Sequence, residues 1–251
     1  MNNKTENWQE RTILQIGEEN IKKLNTSHVL VAGLGGVGSY TVEMLCRTGV
    51  GELTIIDFDT IHPSNKNRQL HALNSTIGRK KTEVVSERLM DINPDLKLHV
   101  IDEYLKDDKI PEILNKQYDY IVDAIDTLSP KIYLIYNALK KNLPIVSSMG
   151  AGGKYDPSLI RISDISDSYN CPLARILRKR LHKLGIRSGF KVVFSPEEIS
   201  EKSTILIKDE PNKRSIVGSI SYMTAIFGCF CAYEAVSYLL KNTNSKLLNN
   251  S

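Results

Sequence analysis

Two segments, VLVAGLGGVG at 29–38 and LTIIDFD at 53–59, constrain the fold more than anything else in the chain. An apolar, β-branched run enters a glycine-rich turn, and a helix-compatible stretch from Ser39 to Arg47 follows. Asp57 comes after Gly38 by about the twenty residues expected of a βαβ nucleotide-binding unit. In such a unit Gly33 allows the tight turn, Gly35 lets the backbone approach a phosphate, and Gly38 permits close helix–strand packing. The start of the helix offers free N–H donors to an anion. Asp57, ending the second strand, comes within reach of a ribose hydroxyl. The pattern specifies an adenine nucleotide and leaves two chemistries open, hydride transfer with NAD and adenylation with ATP.

Strand and helix patterns alternate through residue 150. Strand-like runs at 28–32, 53–57, 97–101, 119–123 and 144–148 are separated by helix-like segments at 38–48, 78–92, 107–115 and 129–142. That alternation predicts an α/β fold with a doubly wound, mostly parallel sheet. The divisions expected are an N-terminal helical arm at 1–26, a nucleotide-binding core at 27–150, a C-terminal region at 151–241 and a disordered tail at 242–251. The C-terminal region is expected to hold short strands at 158–162 and 191–194, a basic helix at 172–185, a mobile loop at 195–217 and an apolar helix at 219–240.

A chain of 251 residues with 41% hydrophobic and 25% charged residues has the balance of a globular protein with a sizeable core. No apolar run opens it, and its four cysteines form no CxxC pair. A cytoplasmic protein with reduced thiols and no four-thiolate zinc site is therefore expected. Residues 216–240 approach membrane-spanning length, but Glu234 and several serines interrupt them. They read as a core helix or oligomer interface, and membrane association is disfavoured.

The residues after the second strand choose between the two chemistries. DFDTIHPSNKNRQL at 57–70 and IGRKK at 77–81 bring Asp59, Asn65, Asn67, Arg68 and Lys81. Attack of a carboxylate on an α-phosphate builds negative charge on the phosphoryl oxygens and the departing pyrophosphate, and fixed cations and amide donors stabilise it. Arginine can grip two phosphate oxygens, and lysine supplies a point charge. Asp126, in DYIVDAIDT, falls past the fourth strand at the edge where ligands bind in this architecture. A carboxylate among phosphates is costly unless it holds a cation, for which Mg²⁺ is the natural choice. Taken singly, Arg68 and Lys81 read as solvated charges and Asp126 as a helix cap; only their joint occurrence points to chemistry. Spacing does not separate Lys80 from Lys81. His62 and His71 flank the motif and read as local hydrogen-bonding residues.

RTILQIG (11–17), GLGGVG (33–38), DFD (57–59), NKNRQ (65–69), GRKK (78–81) and DAIDT (123–127) together resemble the ubiquitin-activating-like adenylation superfamily, which includes the ThiF and MoeB type enzymes. The resemblance implies an acyl-adenylating enzyme using ATP and Mg²⁺. Its nucleotide site would comprise Gly33, Gly35, Gly36, Gly38, Asp57, Asp59, Asn65 and Asn67, with Asp57 on the ribose, Arg68 and Lys81 on the phosphates and Asp126 on the metal. Arg11 matches an arginine that reaches into a neighbouring subunit's site, which implies a homodimer with composite sites. From spacing alone Arg11 is a solvated arginine.

Within the superfamily, the missing CxxC pairs count against the zinc-holding activators of sulfur carriers. VSSMGAGGKYDP (146–157), ISDISDS (162–168), CPLARILRKRLHKLGI (171–186), KVVFSPE (191–197) and GSISYM (218–223) instead resemble the tRNA threonylcarbamoyladenosine dehydratase family. That resemblance implies tRNA bearing threonylcarbamoyladenosine as substrate, its carboxylate adenylated and then captured by a nitrogen of the same side chain. The basic segment agrees with it. Leu173, Leu177, Leu181 and Leu184 recur at helical spacing, and Arg175, Arg178, Lys179, Arg180 and Lys183 lie around them as candidate tRNA contacts. A solvated basic face explains the same pattern. Two alternatives stay open: adenylation of a ubiquitin-fold sulfur-carrier protein, and a non-catalytic nucleotide-binding scaffold. A cysteine desulfurase or sulfur-acceptor partner is conceivable from the family context, but no residue requires it.

Overall fold

The computed structural model describes residues 8–106, 108–200, 204–206 and 215–241. The expected loop at 195–217 lies partly outside them, and the tail at 242–251 wholly outside. Two short helices, α1 (Glu10–Ile16) and α2 (Glu18–Thr26), lead into strand β1 (His28–Ala32). The chain then alternates through α3 (Gly38–Thr48), β2 (Glu52–Ile56), α4 (Lys81–Ile92), β3 (Lys97–Ile101), α5 (Ile110–Ile113), β4 (Tyr120–Asp123), α6 (Leu128–Lys140) and β5 (Ile145–Ser148). β6 (Arg161–Asp164), α7 (Pro172–Lys183) and β7 (Lys191–Phe194) follow. A small hairpin of β8 (Thr204–Leu206) and β9 (Ser215–Val217) precedes the long helix α8 (Ser221–Lys241).

Seven strands form one sheet in the order β3-β2-β1-β4-β5-β7-β6. All neighbouring pairs are parallel except β6 with β7. The sheet therefore runs past residue 150, because β7 pairs with β5 and carries β6 at the edge. Parallel strands need cover on both faces, and the two-residue side-chain period divides the apolar residues accordingly. Val29, Val31, Leu53, Ile55, Tyr120, Val122 and Val193 join α3, α4 and α8 in one cluster. Leu30, Ala32, Ile56, Ile121, Val192 and Phe194 join α5, α6 and α7 in the other.

Three boundaries differ from the sequence reading for local reasons. α4 starts at Lys81 rather than residue 78, because Gly78 has φ +84 and Lys80 is extended. β6 starts at Arg161 because Pro157–Leu159 form a tight turn capped by Asp156, whose carboxylate accepts from the Ser158 N–H at 2.9 Å. α5 spans only four residues. Among the described residues, α8 alone is long and apolar enough to cross a membrane. Here it packs on α3 and the sheet, burying Met223, Phe227, Cys231, Ala235 and Leu239.

Candidate active site

β2 and β4 lie on opposite sides of β1, so the direction of winding switches between β1 and β4. A crevice opens at the carboxyl ends of strands at such a point, and here the loops after β1, β2 and β4 meet. Gly33 has φ +91, and a Cβ on it would stand 2.8 Å from the Ala124 carbonyl oxygen. A Cβ on Gly38 would fall 1.7 Å from the Gly33 carbonyl oxygen. These two glycines let β1, β4 and α3 approach one another. Gly35 differs, since a Cβ there would find nothing nearer than Gln69 Nε2 at 3.9 Å. Its bare backbone borders open space beside the start of α3, whose first turn has no side-chain cap. Exposed glycine backbone at an uncapped helix start suits a phosphate. Gly36 faces Thr224 of α8, so the long helix supports the loop from below.

Asp57 is buried and spends both carboxylate oxygens on backbone. Leu34 N–H donates to Oδ2 at 2.7 Å and Asp59 N–H to Oδ1 at 2.9 Å. It thereby fastens the glycine loop to the turn after β2. Burial pushes its carboxyl above the usual range, opposed by Lys81 and the two amides. Lys81 is also buried, its Nζ 2.6 Å from Asp59 Oδ2 and 3.8 Å from Asp57 Oδ1. Lys80 points the other way, toward Asp102 and the Phe58 carbonyl. The pair that spacing could not separate is thus separated in space: Lys81 joins the two aspartates, and Lys80 stays at the surface.

Arg68 is half-buried, and one guanidinium nitrogen is held by the Ser64 carbonyl at 3.0 Å and Asn67 Oδ1 at 2.9 Å. Asn67 also donates to the Ser219 carbonyl at 3.1 Å, tying the loop to the approach of α8. Asn65 is buried and accepts from His62 N–H at 2.9 Å, so its amide oxygen shapes the chain. Gln69 and His71 received no site role from the sequence. Gln69 is buried with Oε1 lacking a hydrogen-bond partner, its Nε2 turned toward Gly35. His71 is not the local hydrogen-bonding residue expected. Both ring nitrogens are buried without partners, and burial with the nearby Lys81 charge pushes its pKa down to about 4.

Asp126 is exposed on the loop after β4 and has no partner among the described residues. It does not cap α6, whose N-cap is Thr127. Beneath it lies a fully buried ion pair, Lys131 Nζ to Asp123 Oδ2 at 2.9 Å. Lys131 also donates to the Ile125 carbonyl at 2.9 Å, while Asp123 accepts from Ile125 N–H at 3.1 Å and Ser147 O–H at 2.6 Å. The pair grips the loop that presents Asp126. The signal was available in the sequence, because Lys131 takes the apolar-stripe position with Leu134, Ile135 and Ala138.

An exposed carboxylate without a partner among the described residues and open glycine backbone beside an uncapped helix start fit a nucleotide phosphate with a hard cation. On α7 the buried stripe is Ala174, Leu177 and Leu181. Arg175, Lys179, Arg180 and Lys183 are exposed. Arg178 departs from the expected role, because its guanidinium folds back onto the Ser168 hydroxyl and donates to the Ser168 carbonyl at 2.6 Å. Arg11 is exposed on α1.

Residues 9–251 match the ThiF family. The chain is similar to the tRNA threonylcarbamoyladenosine dehydratase of Escherichia coli (strain K12), 36% identical over 259 residues and 95% of both chains. It is 39% identical to that of Bacillus subtilis (strain 168) over 203 residues, 81% of this chain and 78% of the other. The crystal structure of the E. coli tRNA N6-threonylcarbamoyladenosine dehydratase in complex with ATP superposes with a TM-score of 0.86 at 33% identity, covering 94% of both chains. The chain belongs to the ThiF family.

Proposed function

We propose that this protein dehydrates N6-threonylcarbamoyladenosine in tRNA at the expense of ATP, by adenylating the threonyl carboxylate and closing a ring. One observation carries the reading: the structural match to a dehydratase holding ATP runs along 94% of both chains. The site geometry supports it, since the open glycine loop, Lys81 and Asp126 are gathered on one sheet edge.

In this reading the α3 start and the Gly35 backbone cradle phosphate oxygens. Lys81 leaves its aspartates, or shares them, to meet the negative charge that grows as pyrophosphate departs. Arg68 presents its remaining guanidinium N–H groups to the same oxygens, and Asp57 turns free lone pairs to the ribose. Asp126 would hold Mg²⁺, which supplies charge neutralisation on the phosphates. The substrate carboxylate oxygen attacks the α-phosphorus and the bond to pyrophosphate breaks. A nitrogen of the same side chain then attacks the acyl carbon and AMP leaves, with no enzyme nucleophile needed because the attacking group is already close. The exposed face of α7, through Arg175, Lys179, Arg180 and Lys183, would follow the tRNA backbone. Arg11 would complete the site of a second subunit in a homodimer, and the cytoplasm is where such a tRNA substrate is met. A sulfur-relay partner forms no part of this chemistry.

The test is to incubate the protein with ATP, Mg²⁺ and tRNA carrying threonylcarbamoyladenosine and to weigh the nucleoside. Loss of one water with release of AMP is expected. An unchanged mass on properly modified tRNA overturns the reading, and pyrophosphate exchange that depends on a carrier protein instead of tRNA would replace it.

A further inference from the structure

At the opposite end of the strands from the nucleotide edge, His28 opens β1, Glu52 opens β2 and His99 lies midway along β3. In register, His28 pairs with Glu52 and Thr54 with His99. The two-residue period places all four on the sheet face that carries Leu30, Ala32 and Ile56. Glu52 Oε1 lies 2.8 Å from His99 Nε2 and 3.4 Å from His28 Nδ1. One ligand atom from each residue falls within 4.8 Å of the others. Tetrahedral zinc with bonds near 2.0–2.1 Å spaces its donors by about 3.4 Å, so only small side-chain adjustments separate this cluster from a ligand set.

Two further observations point the same way. His28 Nε2 sits 2.8 Å from Thr54 Oγ1, which leaves Nδ1 for Glu52 and supplies the outer hydrogen bond that orients a ligating imidazole. Tyr118 packs its ring on His28 with centroids 4.7 Å apart and stands beside Thr54 and Glu52. It is only 5% exposed, so it walls one side of the cluster and fixes the orientation of the His28 ring. His99 is 44% exposed and gives an ion a way in.

We propose that His28, Glu52 and His99 form a transition-metal site, best suited to zinc, that ties β1, β2 and β3 together away from the nucleotide. Two imidazoles and a carboxylate favour zinc or cobalt over Mg²⁺, so the cation of the ATP site does not compete.

The experiment uses the full chain stripped by a chelator and titrated with Zn²⁺, followed by bound-metal analysis and thermal melting, with Co²⁺ as a spectroscopic probe. One equivalent per chain, a rise in melting midpoint and a cobalt d–d band without thiolate charge transfer are expected. His99→Gln should abolish the bound equivalent and the rise, Thr54→Ala should weaken binding about 10- to 100-fold, and Cys229→Ser should change neither. The metal-free midpoint of the exposed-site variant His99→Gln, compared with that of metal-free wild type, separates lost binding from misfolding. Absence of bound zinc in the wild type, binding retained in His99→Gln, or a thiolate band with cobalt would each overturn the proposal.

Discussion

Lys81 and His71 show how position changes what a residue type does. Lys81 is buried beside two aspartates, where the proposed reaction would use it against phosphate charge, while its neighbour Lys80 is a surface cation. Lys81→Ala should remove nucleoside dehydration by about 100-fold or more, as loss of a charge-stabilising group does elsewhere, while Lys80→Ala should leave it near wild type. Product formation at saturating ATP checks both. His71 carries a different consequence. Its folded pKa of about 4 lies below the unfolded value of 6.5, so above pH 6.5 it is neutral in both states and has no effect on stability. Between pH 6.5 and 4 the unfolded chain binds a proton that the folded chain refuses, and stability falls by ~3 kcal/mol. Urea midpoints measured across that range should decline in the wild type and decline less in His71→Leu.

Elements position these residues by close approach. The β1–α3 turn works because Gly38 lies against the Gly33 carbonyl, so Gly38→Ala should destabilise the fold at or beyond the upper end of the roughly 1–3 kcal/mol that overpacking costs. The β4–α6 connection is fixed differently, by the buried Asp123–Lys131 pair. Removing one partner leaves an uncompensated charge, and Lys131→Met should cost about 3–5 kcal/mol. Asp123→Asn added to Lys131→Met should recover part of that loss, read as a urea midpoint above that of the single variant. The strands and the main helices were legible because their apolar periods are strong. α5 and the start of β6 were read less well, because Pro111 sits in the first turn of α5 and so sets a late helix start, while Asp156 and Pro157 impose a turn that overrides the apolar pattern.

On the scale of the whole molecule, α7 presents an exposed basic face and α8 packs beside the glycine loop. α8 touches the glycine loop through Thr224, and the loop before it takes the hydrogen bond from Asn67. Arg175→Glu with Lys179→Glu should weaken tRNA binding and lower the salt dependence of affinity by about one unit of slope per lost phosphate contact. Arg178→Ala should instead act on stability, since that side chain holds the turn at 165–168. If Arg11 completes a second subunit's site, mixing inactive Arg11→Ala and Lys81→Ala chains should restore part of the activity, because one site of each mixed dimer is then intact.

The sequence by itself determined the sheet, the nucleotide-binding turn and the reaction class. Each rests on short-range pattern: glycine spacing, two-residue and helical periods, and a run of phosphate-binding residue types. It also placed Asp57 and Asp126 on one edge, because a parallel sheet gathers its strand ends there. Only the tertiary structure decided which lysine joins Asp57 and Asp59, that Arg178 turns inward, that Lys131 is a buried partner of Asp123 and that His28, Glu52 and His99 converge. Those outcomes depend on side-chain direction and on neighbours distant in sequence. His28 and His99 are 71 residues apart, and only strand register brings them to the same carboxylate.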